Sequence, residues 1–157
     1  MAQFASLKGK RFIVSGGGTG GHFYPALAIM DHLQSRGAEI CYIGSMRGIE
    51  SEFPHDSYRC RHLLPAEGWN RTSNLSLLRS IPLLCANVYQ GISIIRHFRP
   101  HAAIITGGYA SIAAGCASVL TGTPLYIQEQ NSFPGLTPGC LLHSQRGFSS
   151  VCRLTER

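Results

Sequence analysis

Three short segments of this 157-residue chain combine residue types that can do chemistry. The first is Gly16-Gly-Gly-Thr-Gly-Gly-His22, directly after the apolar, β-branched run Arg11-Phe-Ile-Val-Ser15. A turn this rich in glycine, set between a strand and a helix, lets backbone N–H groups face an anion or a sugar with no Cβ in the way and the positive helix end behind them. His22 falls on the first helical turn, which suits a neutral imidazole acting as a base or hydrogen-bonding group. The same position also suits a histidine that only closes the loop. The second segment, Gly107-Gly-Tyr-Ala-Ser111, repeats the strand–glycine–helix order, where close ligand approach and close helix packing both call for glycine. The third, Gln128-Glu-Gln-Asn131, sets four polar side chains in a row after a buried run. That is costly unless they are satisfied or solvated at a ligand edge, although Asn and Gln also serve turns.

Several chemistries are disfavoured at once. Gly16, Gly18 and Gly21 fit the G-x-G-x-x-G spacing, but the dinucleotide reading also needs an acid where the second strand ends, and that strand closes Tyr42-Ile-Gly-Ser45. A nucleotide-hydrolysing phosphate loop would need Lys and Ser/Thr where His22 and Phe23 stand. The six cysteines (Cys41, Cys60, Cys85, Cys116, Cys140, Cys152) include no C-x-x-C and no metal spacing with histidine, and several lie in apolar runs. They read as reduced thiols of a cytoplasmic protein. His32, His55, His62, His97, His101 and His143 form no metal-spaced pair and read as surface or structural groups, so neither a metal nor a cofactor is expected.

The elements that must position these segments alternate. Strands are expected at 11–15, 38–44, 61–65, 102–106 and 124–128, with helices at 24–36, 47–53, 75–98 (kinked or restarted at Pro82) and 111–120. Gly37 stands where a C-terminal helix cap belongs. Such alternation implies an α/β fold, a Rossmann-like doubly wound parallel sheet, whose ligands bind beyond the carboxyl ends of the strands, where all three segments lie. With 44% hydrophobic and 14% charged residues the chain can bury one core. Net charge is +6, and much of it is regional: six arginines against Glu67 alone between Tyr58 and His101. A basic region meets nucleic acid, anionic lipid or a phosphorylated substrate, and charge does not choose among them. The amino terminus lacks the order of a signal peptide, and Leu75–Phe98 is too interrupted by polar residues to span a bilayer.

Together, Gly17-Gly-Thr-Gly-Gly-His22 with Pro25-Ala-Leu-Ala28, Arg99-Pro100 leading to Gly107-Gly-Tyr109, and Glu129-Gln-Asn131 with Gly135-Leu-Thr137 resemble the amino-terminal half of the MurG glycosyltransferase family. The resemblance runs from about Lys10 to Leu142 and implies the amino-terminal lobe of a GT-B fold. Residues 1–142 would form that lobe, and 143–157 a tail or the start of an interlobe linker. It further implies inverting transfer of N-acetylglucosamine from UDP-N-acetylglucosamine to the 4-hydroxyl of MurNAc in undecaprenyl-pyrophosphoryl-MurNAc-pentapeptide (lipid I), making lipid II for peptidoglycan, with no obligatory metal or cofactor. By the same resemblance Thr19, Gly20, Gly21 and Asn131 contact the donor. His22 is the candidate base and Glu129 the next candidate; Tyr109 and Glu129 line the acceptor pocket, and Gly107 and Gly108 are further substrate-binding positions. Leu77, Leu78, Arg79, Leu83 and Leu84 would rest on an anionic membrane surface, placing the protein peripherally on the cytoplasmic face of the inner membrane; helical periodicity alone also accounts for these positions. The implied partners are the two substrates, that surface and a carboxyl-terminal donor-binding lobe in cis or trans, with no nucleic acid. The other reading is a stand-alone, non-catalytic acceptor-binding and membrane-recruiting subunit of a split two-chain transferase.

Overall fold

The computed structural model describes residues 6–52, 60–65 and 74–128, with the side chains of 74–79 outside that description. Five strands, β1 (Arg11–Gly16), β2 (Glu39–Ser45), β3 (Cys60–Leu64), β4 (Ala102–Gly107) and β5 (Leu125–Ile127), form one parallel sheet in the order β3-β2-β1-β4-β5. Between them run helices α1 (Gly20–Ser35), α2 (Asn74–Phe98) and α3 (Tyr109–Leu120), and a 3-10 turn, Ile49–Glu52. The expected doubly wound α/β fold is therefore present. The chain leaves β1 towards β2 and β3, then returns across to β4 and β5. The strand order thus reverses between β1 and β4, the position at which sheets of this kind have their ligand crevice, beyond the carboxyl ends of the strands.

Strand alternation builds a core on each face. Val14, Ile40 and Tyr42 meet Phe23, Ala26 and Met30 of α1 on one side. Ile13, Cys41, Ile43, Ala103 and Ile105 meet Ile95 of α2 and Ala113, Ala114 and Ala117 of α3 on the other. Such two-sided burial explains why these strands read as continuous apolar runs. Each fully buried Ile or Val contributes about 1.5–3 kcal/mol over its exposed state.

Three expectations change in detail. Helix α1 begins at Gly20 and α3 at Tyr109, earlier than the expected Tyr24 and Ser111, so each glycine turn is itself the entrance to a helix. Helix α2 continues through Pro82, which deletes one i→i−4 hydrogen bond without ending the element. The expectation of reduced thiols fails for two cysteines. Cys41 and Cys60, 19 residues apart in sequence, are disulfide-bonded, because parallel register sets them side by side with Cα atoms 4.5 Å apart. Among the described residues, Cys85 and Cys116 form no disulfide. His101 is structural as expected, its Nδ1 accepting the Arg11 N–H at 3.1 Å. The His62 imidazole is held below its ordinary pKa, by partial desolvation first and by the neighbouring His97 second.

Candidate functional site

The two described glycine turns meet at the strand-order reversal. Gly17 N–H donates to the Gly107 carbonyl at 3.3 Å, and the β1–β4 register shifts just before Gly16. Thr106, the penultimate residue of β4, holds the start of α1 in two ways. Its hydroxyl donates to the His22 carbonyl at 2.6 Å, and its own carbonyl lies 2.9 Å from His22 Nδ1. A carbonyl can only accept, so Nδ1 carries the proton and Nε2 is left as the basic nitrogen of a half-buried ring. Ser111, on the first turn of α3, donates to the Gly107 carbonyl at 2.7 Å and lies 2.9 Å from that of Ser15, closing β1 against α3.

Neither helix is capped by a side chain at its N-terminus. First-turn N–H groups have no acceptor within their own helix, so α1 and α3 both bring positive partial charge to this edge. The edge can receive a negatively charged or hydroxyl-rich ligand beside one imidazole base.

Gly108 makes the close approach feasible. Its φ of 90° and ψ of 169° fall in a region essentially reserved for glycine, and a Cβ there would collide with the Gly17 carbonyl. We expect Gly108→Ala to cost about 2–4 kcal/mol in denaturant unfolding, by backbone strain plus steric clash. Gly122→Ala is the matched control: φ is +68° with nothing within 4 Å of the added methyl. It should cost only about 1 kcal/mol. Equal losses at the two positions would contradict the contact.

Sequence reasoning missed Glu50. It lies in the 3-10 turn after β2 and is fully buried, with Oε1 accepting N–H groups from Ser45 at 2.8 Å and Gly18 at 3.1 Å, and Oε2 accepting from Gly18 at 2.9 Å. Gly17 and Gly48 pack so closely on this carboxylate that a Cβ on either would overlap it. The loop's N–H groups were expected to face a ligand, and at Gly18 that is corrected: its partner is an internal anion. An acid does arrive near the end of β2, five residues later than the dinucleotide pattern requires, and it is buried under the loop. The available signal was a carboxylate two residues after a glycine, Gly48-Ile-Glu50, close behind the second strand.

Of the sequence-predicted residues, the structure brings together Thr19, Gly20, Gly21 and His22 at the start of α1 with Gly107, Gly108 and Tyr109 at the start of α3. Thr19 and Tyr109 are exposed. Glu129 and Asn131 lie outside the described residues; Gln128, the last described residue, has its N–H bonded to the Ile105 carbonyl at 2.8 Å. Leu77, Leu78 and Arg79 belong to α2, with side chains outside the description. Leu83 is half-buried and Leu84 exposed. Ile81 (58% exposed) and Tyr89 (75%) extend the outward apolar stripe of this helix.

The model of the glycosyltransferase family 28 N-terminal domain matches residues 12–141. Among curated relatives, one from Sulfurihydrogenibium sp. (strain YO3AOP1) is 40% identical over 150 residues, covering 94% of this chain and 42% of the relative. One from Chlorobium luteolum is 42% identical over 132 residues, covering 80% and 36%. Both carry the name UDP-N-acetylglucosamine--N-acetylmuramyl-(pentapeptide) pyrophosphoryl-undecaprenol N-acetylglucosamine transferase. The chain therefore spans about two-fifths of the length of such relatives. Among solved structures, MurG of Acinetobacter baumannii superposes with a TM-score of 0.72 at 24% identity, over 87% of this chain and 40% of that one. The C-terminal domain of a Pyrococcus furiosus hydrogenase superposes at 0.57 with 10% identity, over 80% and 95%. At these identities the superpositions speak to the fold alone.

Proposed function

Because the chain belongs to the glycosyltransferase family 28 N-terminal domains, we propose that it is the acceptor-side lobe, comprising residues 1–142, of a transferase. The reaction moves N-acetylglucosamine from UDP-N-acetylglucosamine to the 4-hydroxyl of MurNAc in undecaprenyl-pyrophosphoryl-MurNAc-pentapeptide. The substrates are those after which the relatives are named. The observation that carries the reading is the Thr106–His22 pair, which fixes one ring nitrogen and leaves Nε2 basic at the mouth of the β1–β4 crevice.

In the proposed step the acceptor O4 attacks the anomeric carbon, the bond from that carbon to the UDP oxygen breaks with inversion, and His22 Nε2 takes the hydroxyl proton. The uncapped starts of α1 and α3 offer N–H groups to charge developing across the cleft. The remaining donor contacts belong to a second lobe, with Asn131 and Glu129 completing the site. Joining this chain to the carboxyl-terminal part of the Sulfurihydrogenibium relative should restore transfer of radiolabelled N-acetylglucosamine to lipid I, while the 157-residue chain alone should transfer none. A joined protein that folds and binds UDP-N-acetylglucosamine yet makes no product would overturn the reading. So would turnover by this chain alone, which would place a whole active site here.

We further propose that the lobe works on the cytoplasmic face of the inner membrane. Among the described residues no helix is long and apolar enough to cross a bilayer. The outward residues Ile81, Leu84 and Tyr89 of α2, with Arg96 and Arg99 beyond them, suit an interfacial position. The protein should sediment with anionic but not neutral vesicles, and salt should release it as the Debye length shrinks. Equal binding to both vesicle types, or to neither, returns α2 to an ordinary packing role.

A further inference from the structure

Outside the crevice, one cluster of ligating side chains has no part in the proposed transfer. Cys41 on β2 and Cys60 on β3 are direct register partners, and His62 follows two residues along the same face of β3. One Sγ from each cysteine and one ring nitrogen of His62 all lie within 4.8 Å of one another. The four residues from Cys41 to Ser45 put this cluster about 13 Å below the carboxyl edge of the sheet, at the usual rise per residue of a strand. Local spacing in the sequence gave no metal pattern because the set is assembled across two strands.

We propose that Cys41, Cys60 and His62 form a binding site for a zinc-class divalent cation when the cysteine pair is reduced. Two thiolates and an imidazole are a soft-to-borderline donor set, suited to zinc and poorly suited to magnesium or calcium. A tetrahedral ion with Zn–S near about 2.3 Å and Zn–N near about 2.0 Å holds its ligand atoms roughly 3.5–3.8 Å apart. The cluster reaches that spacing by side-chain rotation. Exposure is graded: Cys41 is buried, Cys60 half-buried and His62 exposed. An ion can therefore enter from the His62 side and rest on an apolar floor, with its fourth position left to solvent.

The disulfide and the cation are alternative occupants of one place. A dithiol reductant gives two electrons and two protons to the Cys41–Cys60 pair and becomes a disulfide itself; the cation then displaces two protons from the freed thiols. The residue between two of the ligands, Arg61, donates through its guanidinium to the Glu50 backbone carbonyl. A cation at Cys60 and His62 would therefore brace the turn whose carboxylate holds Gly18. The site does not depend on the proposed transfer reaction.

The test uses the whole chain, reduced with a phosphine, which takes its oxygen from water as the disulfide gains two hydrogens, then freed of metal and titrated anaerobically with cobalt(II). One equivalent should saturate a thiolate-to-metal charge-transfer absorption, and zinc should abolish it. His62→Ala, an exposed position where folding is not at risk, and Cys60→Ser should each weaken binding by at least about tenfold, as loss of a first ligand requires. Changing Cys85, Cys116, Cys140 and Cys152 together to serine should leave the titration unchanged. The proposal is overturned by any of four results: no absorption at equimolar cobalt, loss of it in the four-serine protein, an unchanged titration in His62→Ala, or a pair that stays disulfide-bonded by thiol counting after reduction.

Discussion

Replacing Glu50 by alanine should cost about 2–4 kcal/mol of stability, because one buried N–H group and one partly solvated one lose their acceptor and the emptied volume of a fully buried side chain adds to that. Those donors are Gly18 and Ser45, one in each of the loops that the carboxylate joins. Glu50→Gln separates the carboxylate from its volume. Its remaining carbonyl oxygen can serve Ser45 and Gly18, while its amide group meets an N–H donor, so the expected loss is smaller, about 1–2 kcal/mol. In both variants the Gly18 amide should exchange with solvent faster than in the parent, whereas amides in α3, such as Ala114, should change only as global stability does. Denaturant unfolding and hydrogen exchange on the three proteins check this. A loss below about 1 kcal/mol in Glu50→Ala would mean that the buried carboxylate does not hold the loop.

Much of this arrangement could be read from sequence because it depends on local pattern. Val14 and Ile13 face opposite sides of a sheet covered on both, and such strands announce themselves as apolar runs. The glycine turns show themselves by composition, and strand alternation fixes which end of the sheet carries them. What escaped depends on register between distant segments. Thr106 reads as the end of an apolar strand, and only the β1–β4 pairing brings it to His22, 84 residues away. Glu50 reads as one acid in a short amphipathic stretch until the β2 turn folds beneath Gly18, 32 residues away. Cys41 and Cys60 likewise have no common pattern until β2 and β3 pair. Glu129 and Asn131, legible as a polar run and by family resemblance, stand as proposals beyond the described residues.

The second large effect concerns His22, on which the proposed chemistry turns. Its Nδ1 is committed to the Thr106 carbonyl, so the ring cannot rotate to exchange nitrogens without giving up that bond, and Nε2 is the nitrogen left for a proton. Removing the imidazole subtracts a base and its hydrogen bond to the Thr106 backbone carbonyl. In the joined two-lobe protein, His22→Ala should lower kcat by about 10²–10⁴, the usual scale for loss of a general base, while KM for lipid I changes only a few-fold. The accompanying loss of stability should be about 1 kcal/mol, from one net hydrogen bond. The decisive measurement is therefore kcat of His22→Ala beside the parent, with folding verified on the same samples. The account predicts a stable protein that binds acceptor and turns over at least about a hundredfold more slowly. A stable His22→Ala protein with near-parental kcat would contradict it and would limit this histidine to closing the loop.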